Sequence, residues 1–203
     1  SFEANHVTIE GGERRKFLVT VKNRPDLSPG GHYAAVIGRL SDEDEQTTVT
    51  PAISSLIFIR KVGGERFNLS IRGMDWPQWP VEFSITTNSE VTFQNEGNIH
   101  VIPYGRGEIR DSFGRLLYKG VLNTSSAIVF PESRRIIPFT LKKMDAFMLP
   151  VSFNVIKIEG TDSLKKTRYV YQESFVFVNP IMLSLLLIIP TIFILRKKRK
   201  RTK

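Results

Sequence analysis

From Ser174 to Leu195 the chain runs for 22 residues without a formal charge, and the eight residues that follow hold seven lysines and arginines. A helix needs about 20 apolar residues to cross the roughly 30 Å hydrocarbon layer of a bilayer. The stretch from Ile181 to Leu195 is apolar on every side. A buried core helix of that kind would not abut seven cations. The pattern therefore predicts a transmembrane helix over 176–195 and a basic tail over 196–203. Pro190 removes one backbone hydrogen bond from that helix, which membrane spans tolerate. Lys and Arg beside a span stay cytoplasmic, so the expected arrangement is a single-pass plasma-membrane protein with its N-terminal region outside and its tail inside. The tail then serves as a stop-transfer anchor that meets anionic head groups.

The net charge of +9 is mostly a property of that tail, because residues 1–195 hold 22 basic against 20 acidic side chains. A nucleic-acid-binding domain carries its positive excess on the folded face itself, so no nucleic-acid partner is expected. With no cysteine at all, disulfides, thiolate zinc sites and cysteine nucleophiles are excluded together. Three histidines, His6, His32 and His100, are too few for a histidine cluster. No serine, carboxylate pair or phosphate-cradling glycine loop comes with supporting spacing. The chain is expected to be non-enzymatic, with no cofactor and no metal.

Between Val7 and Val178 the hydrophobic pattern has the period of two that marks half-buried strands. Val81, Phe83, Ile85 and Thr87 alternate with polar residues, as do Phe17, Val19 and Val21, where Leu18 interrupts. Arg135, Ile137, Phe139 and Leu141 share one face. Val151, Phe153 and Val155 continue the theme and then change phase to Ile156 and Ile158, which predicts a bulge or a rotated strand end. Turns are expected at Glu10-Gly-Gly, Pro29-Gly-Gly, Val62-Gly-Gly, Gly105-Arg-Gly, Ser112-Phe-Gly and Glu159-Gly. Short strands punctuated by turns indicate an all-β fold of antiparallel sandwiches. A boundary falls near Gly63-Gly64. Residues 1–64 hold too few strands to close a sandwich and read as the C-terminal part of a first β-domain, truncated at its N-terminus. Residues 65–175 suffice for a second, complete one. The opening residues, Ser1 to His6, show no export signal, in keeping with a fragment.

The densest unusual feature is Trp76-Pro77-Gln78-Trp79-Pro80, with both tryptophans in five residues. Prolines keep such a stretch extended, so Trp76 and Trp79 are the candidate partner-binding residues, able to stack on a sugar or take a partner's backbone. The alternative is that the stretch links two strands and lays one or both indoles on the core. Asp42-Glu43-Asp44-Glu45 has carboxylates for a hard cation but lacks the spacing and glycine of a calcium loop, and reads as a solvated hairpin tip. Arg134-Arg135, Lys142-Lys143 and Lys165-Lys166 with Arg168 either form a weak patch for an anionic polymer or are scattered solvated side chains. His100 reads as a packed strand residue and His32 as part of a turn. Asn68 and Asn123 begin glycosylation sequons, which matter only in a eukaryotic secretory route.

Two stretches carry a family resemblance. Pro25-Asp26-Leu27-Ser28-Pro29-Gly30-Gly31-His32-Tyr33-Ala34-Ala35-Val36 resembles a strand-turn-strand unit near the end of the first domain in bacterial WxL-interacting proteins. Phe93-Gln94-Asn95-Glu96-Gly97-Asn98-Ile99-His100-Val101-Ile102-Pro103-Tyr104-Gly105, followed by Phe113-Gly114, resembles the signature of that family's second domain. Pro131-Glu132-Ser133-Arg134-Arg135 sits where the family has a turn with glycine in place of Glu132. The resemblance implies two immunoglobulin-like domains outside a Gram-positive-type cell, the first binding peptidoglycan and the second other surface or host proteins, above a single C-terminal span. No binding residue carries over. The expected function is that of a membrane-anchored bacterial cell-surface protein whose β-sandwiches bind cell-wall polymer or other surface proteins. The contact surface would be the Trp76–Pro80 segment or an exposed strand edge. The alternative is a structural stalk, or the C-terminal part of a larger exported enzyme or sensor.

Overall fold

The computed structural model describes residues 7–39, 52–76, 81–147, 149–186 and 188–190. Its first element is a hairpin. Strand β1 (Gly30–Arg39) pairs antiparallel with β2 (Ala52–Lys61), in unbroken register from Gly30↔Lys61 to Arg39↔Ala52. Residues 7–29 form no strand. The expected turn at Glu10-Gly-Gly is present, closed by a hydrogen bond from the Glu13 amide to the Glu10 carbonyl. The alternation at Phe17, Val19 and Val21 is not a paired strand, and these side chains stay exposed. Period two marks which residues can face one way; a strand also needs a ladder partner, and among the described residues no strand pairs along this one.

The remaining strands are β3 (Leu69–Met74), β4 (Val81–Glu82), β5 (Asn88–Asn95), β6 (Pro103–Asp111), β7 (Leu116–Leu122), β8 (Ser133–Thr140), β9 (Lys142–Lys143), β10 (Val151–Asp162) and β11 (Arg168–Val178). They form one curled sheet in the order β3-β5-β8-β7-β6-β10-β11-β4, with β9 alongside β7. All pairings are antiparallel except β11 with β4. The curl turns at β8, which pairs with β5 along its whole length but meets β7 only at Leu122↔Phe139. Its continuation β9 then runs along β7. The concave side holds a single core that includes Val91, Phe93, Ile109, Leu122, Ile137, Phe139, Ile156 and Ile158, each essentially without solvent exposure. Burying each such side chain stabilises the fold by roughly 1.5–3 kcal/mol.

Two expected turns lie inside strands instead. Gly105 pairs with Gly160 across β6 and β10. The phenol of Tyr169 crosses this pair and donates a 2.8 Å hydrogen bond to the Tyr104 carbonyl. A Cβ on Gly160 would stand 2.6 Å from that hydroxyl. Gly107, two residues on, leaves room for the Phe139 ring, which an added Cβ would meet at 2.3 Å. Glycine here makes space in a sheet instead of bending the chain. The turn at Ser112-Phe113-Gly114 does form, with Gly114 at a φ of 78°. The buried Asp111 carboxylate holds it, accepting from the amides of Phe113 and Arg115.

The phase change in β10 produces no bulge. The strand runs unbroken from Val151 to Asp162 against both β11 and β6. Ser152 and Asn154 face the interior, whereas Val151 and Phe153 face outward. After Val178 a single residue, Asn179, separates the sheet from helical backbone at 180–186 and 188–190. The Asn179 side chain accepts hydrogen bonds from the amides of Ile181 and Met182, both 3.1 Å, as an N-cap does, and Pro180 suits the first helical position. Among the described residues no helix is long and apolar enough to cross a membrane. Residues 191–203, with the end of the uncharged run and the basic tail, lie outside the described residues.

Candidate functional site

The loop between β5 and β6 is built by two asparagines. Asn95 is fully buried, and its amide donates to the carbonyls of Ile99 (2.7 Å) and Val129 (3.2 Å) while its oxygen accepts from the Gly97 amide (2.9 Å). A Cβ at Gly97 would stand 2.1 Å from the Arg66 carbonyl, so the chain passes there only as glycine. Asn98 faces outward and binds two further segments. Its oxygen accepts from the Arg66 amide (2.7 Å), and its NH2 donates to the carbonyls of Pro29 (3.2 Å) and Gly64 (3.0 Å). The Asn98 carbonyl accepts from the Gly31 amide at 2.8 Å. Gly30, at a φ of 128°, lies so close to that carbonyl that a Cβ would approach it to 2.7 Å.

Around this clamp four rings close the junction between hairpin and sheet. Tyr33 from β1, Phe58 from β2, His100 and Phe130 pack with centroids 5.1 to 6.0 Å apart. The Tyr33 hydroxyl lies 3.2 Å from His100 Nδ1, to which it donates when that nitrogen is bare. Burial holds the His100 pKa below its ordinary 6.5, and the Arg60 charge lowers it further. Below the rings the ammonium of Lys61 donates to the carbonyls of Arg24 and Leu27, 2.8 and 2.5 Å away, so the Pro25–Ser28 turn wraps it. Of the stretches that carry the family resemblance, 25–36 and 93–105 meet here and hold the hairpin on the sheet, whereas Phe113-Gly114 lies in the β6–β7 turn at the sheet's other end.

The same survey locates the sequence candidates. Trp76 is 4 % exposed and packs its indole on Phe175, centroids 5.4 Å apart. A ring so placed is part of the core and offers no open face to a ligand, which corrects its reading as a contact residue. Trp79 lies outside the described residues, as does the Asp42–Glu45 run. The basic pairs sit on β8, on β9 and in the β10–β11 turn, three separate places. Arg135 donates to the Ile128 carbonyl and Arg134 to Gln94, so both have structural partners. His32, expected in a turn, lies instead on β1 opposite Ile59, and its ring bonds back to the Ser28 carbonyl. Asn123 is buried and bonded to the carbonyls of Pro103 and Ala127. Among the described residues no three histidine or acidic side chains gather as a metal site would require.

A surface the sequence did not single out lies on the outer face of β6, β10 and β11, at the end away from the helix. A cleft of about 650 Å³ lies there over the backbone of Gly105 and Gly160, walled by Tyr104, Val170, Arg168 and the Arg106–Glu159 ion pair at 2.8 Å. Tyr104 and Val170 are both well exposed. Beside it, the outer edge of β11 is paired, among the described residues, only at Val176 and Phe177, by the two residues of β4. The only sequence sign of this cleft was the two glycine positions, whose reading as turns hid it.

No protein-family model, curated protein or solved structure matches the chain.

Proposed function

We propose that this chain is the membrane-proximal part of a bacterial cell-surface protein, anchored in the plasma membrane by the apolar run that follows Asn179, with its tail inside; the start expected at residue 176 moves to 180, because Val176–Val178 are paired in β11. On this reading the curled sheet is an immunoglobulin-like sandwich that binds cell-wall polymer or other surface proteins without catalysis. Support for two layers comes from the single pair joining β8 to β7 and from the contact of Phe93 on β5 with Tyr169 on β11, centroids 5.1 Å apart.

The observation that carries the reading is the end-to-end arrangement. The apolar run leaves one end of the sheet directly after Asn179, and the hairpin is clamped at the opposite end, beside the loop of Asn98 and His100. A body so mounted presents its far end and its outer face away from the helix. The contact surface on this face is the cleft over Gly105 and Gly160 with the open edge of β11, where an extended partner could add as a strand.

The test is retention of the full chain, in detergent, on cell-wall sacculi either stripped of protein or left with their surface proteins. Retention on both means recognition of the polymer; retention only on protein-bearing walls means a protein partner. The double variant Tyr104→Lys, Val170→Lys, which alters only exposed side chains, should weaken retention at least about fivefold, as truncating a contact centre does. Retention on neither wall would overturn the binding function and leave a stalk.

A further inference from the structure

The helix leaves the sheet in the middle of an exposed apolar surface. Register fixes its members. Val151 pairs with Val178 and Phe153 with Val176, while Glu82 pairs with Phe177, which puts Phe83 level with the end of β11. The Ser112 amide donates to the Phe153 carbonyl at 2.9 Å, so the turn carrying Phe113 sits at the same end. The loop bearing Phe147 returns there too, since the Asn179 amide donates to the Pro150 carbonyl at 2.8 Å.

Phe83, Phe113, Phe147 and Phe153 are each 63 to 74 % exposed, the four most exposed phenylalanines among the described residues. Singly exposed apolar side chains are ordinary on a protein surface; a contiguous group at one end marks an interaction site. The first residues of β10 are also inside out. Ser152 and Asn154 are buried with polar side-chain atoms that lack hydrogen-bond partners, while Val151 and Phe153 face outward. At Ile156 and Ile158 the strand returns to apolar-in, with Lys157 outward, and at its far end the buried Asp162 holds the β10–β11 turn through the amides of Leu164 and Lys166. The inversion is confined to the part of the strand nearest the helix. Apolar-out and polar-in is the pattern of strands that face lipid.

Resting on the membrane-anchored reading above, we propose that this end of the sheet is seated in the outer lipid interface. Phe83, Phe113, Phe147, Val151 and Phe153 form an apolar collar that inserts at the boundary of head groups and acyl chains around the emerging helix. Lipid is favoured over a protein partner because one residue, Asn179, separates the collar from the apolar run, so the collar cannot stand far from the hydrocarbon surface. Beside it the Arg115 guanidinium, paired with the Asp111 carboxylate at 2.6 Å, lies 5.7 Å from the centre of the Phe113 ring and fixes the turn that carries it. Amphipathic surfaces of this kind bury their apolar side about 5–10 Å deep and add attraction to anionic lipid.

The chain has no cysteine, so one introduced thiol labels one position. The full chain is reconstituted in vesicles of phosphatidylglycerol and phosphatidylcholine with an environment-sensitive dye on Phe113→Cys, Phe153→Cys or, at the far turn, Ser163→Cys. Lipids brominated high on the acyl chain should quench the first two labels at least threefold more than the third, with blue-shifted emission. Far-ultraviolet dichroism checks that each labelled protein is folded. Carbonate-resistant protein whose labels at 113 and 153 quench no more than that at 163 would overturn the collar while keeping the anchor. Protein that carbonate strips from the vesicles would overturn the anchor, and the collar with it.

Discussion

The Asn98 side-chain amide makes three hydrogen bonds to neighbouring segments, using both N–H donors and accepting one at its oxygen. Its replacement by alanine leaves the Arg66 amide and the carbonyls of Pro29 and Gly64 without those partners. Losing such a set costs about 1–3 kcal/mol where water cannot fully replace it. The cost falls on the junction: Asn98→Ala should raise hydrogen exchange across β1 and β2 by tenfold or more while leaving β10 and β11 protected. Glu132 poses the opposite case. It sits at a φ of 52°, in the left-handed region where a Cβ is penalised by roughly 1–2 kcal/mol. Glycine relieves that penalty but adds freedom to the unfolded chain. Glu132→Gly should therefore raise unfolding free energy by a net of about 0.5–1 kcal/mol, read as a higher denaturant midpoint with unchanged slope. The resemblance noted in the sequence placed a glycine at this position, and the backbone angle gives the physical reason.

At the scale of elements, the hairpin is held against the sheet by a group that titrates. Facing His100 are Tyr33 from β1 and Arg60 from β2, whose guanidinium lies 3.9 Å from Glu65. Docked, the imidazole pKa lies below 6.5, because burial disfavours its charged form and Arg60 repels it. Undocked, it returns to its ordinary value, so the undocked state binds more protons. Docking is then at full strength above the undocked pKa of 6.5. It weakens as pH falls below that and through the docked value. Limited proteolysis of β1–β2 should be faster at acidic pH than at neutral pH, and His100→Phe should flatten the difference.

Sequence pattern read some elements well and others poorly, for definite reasons. Strand β8 was legible because Ile137, Phe139 and Leu141 alternate with residues that do face solvent. The start of the apolar helix was less legible: the uncharged run put it at residue 176, but Val176–Val178 complete β11 and the Asn179 cap sets the helical backbone from 180. Gly105 and Gly160 were misread because glycine signals a turn and a close approach alike, and only Tyr169 on a distant strand decides which. In β10 the phase change was visible, but its cause was not. A bulge and an inside-out strand end give the same letters, and only the pairing register with β6 and β11 tells them apart. The junction at Asn98 could be noticed as a motif, whereas its task, joining residues 29–31 to 64–66, requires contacts that no spacing encodes.

Taken whole, the molecule has a hairpin at one end and a helix at the other, with strands running lengthwise between them. The chain enters the sheet at β3, beside the clamp, and leaves it at the far end of β11. A protein bound to a wall at one end and a membrane at the other bears tension as the wall moves. Pulling on Gly64 and Asn179 would draw β3 and β11 along their own lengths in opposite directions. The register bonds of β11 with β10, from Val151↔Val178 to Thr161↔Arg168, would then be loaded side by side, and no single pair could give way before the rest. Strands pulled from the same end open like a zipper, one bond at a time. In single-molecule stretching the sheet should therefore yield at a higher force when held at residues 64 and 179 than when held at the two ends of the β10–β11 pair, residues 151 and 178. A strand order that leaves entry and exit at opposite ends loads this sheet in shear along its length.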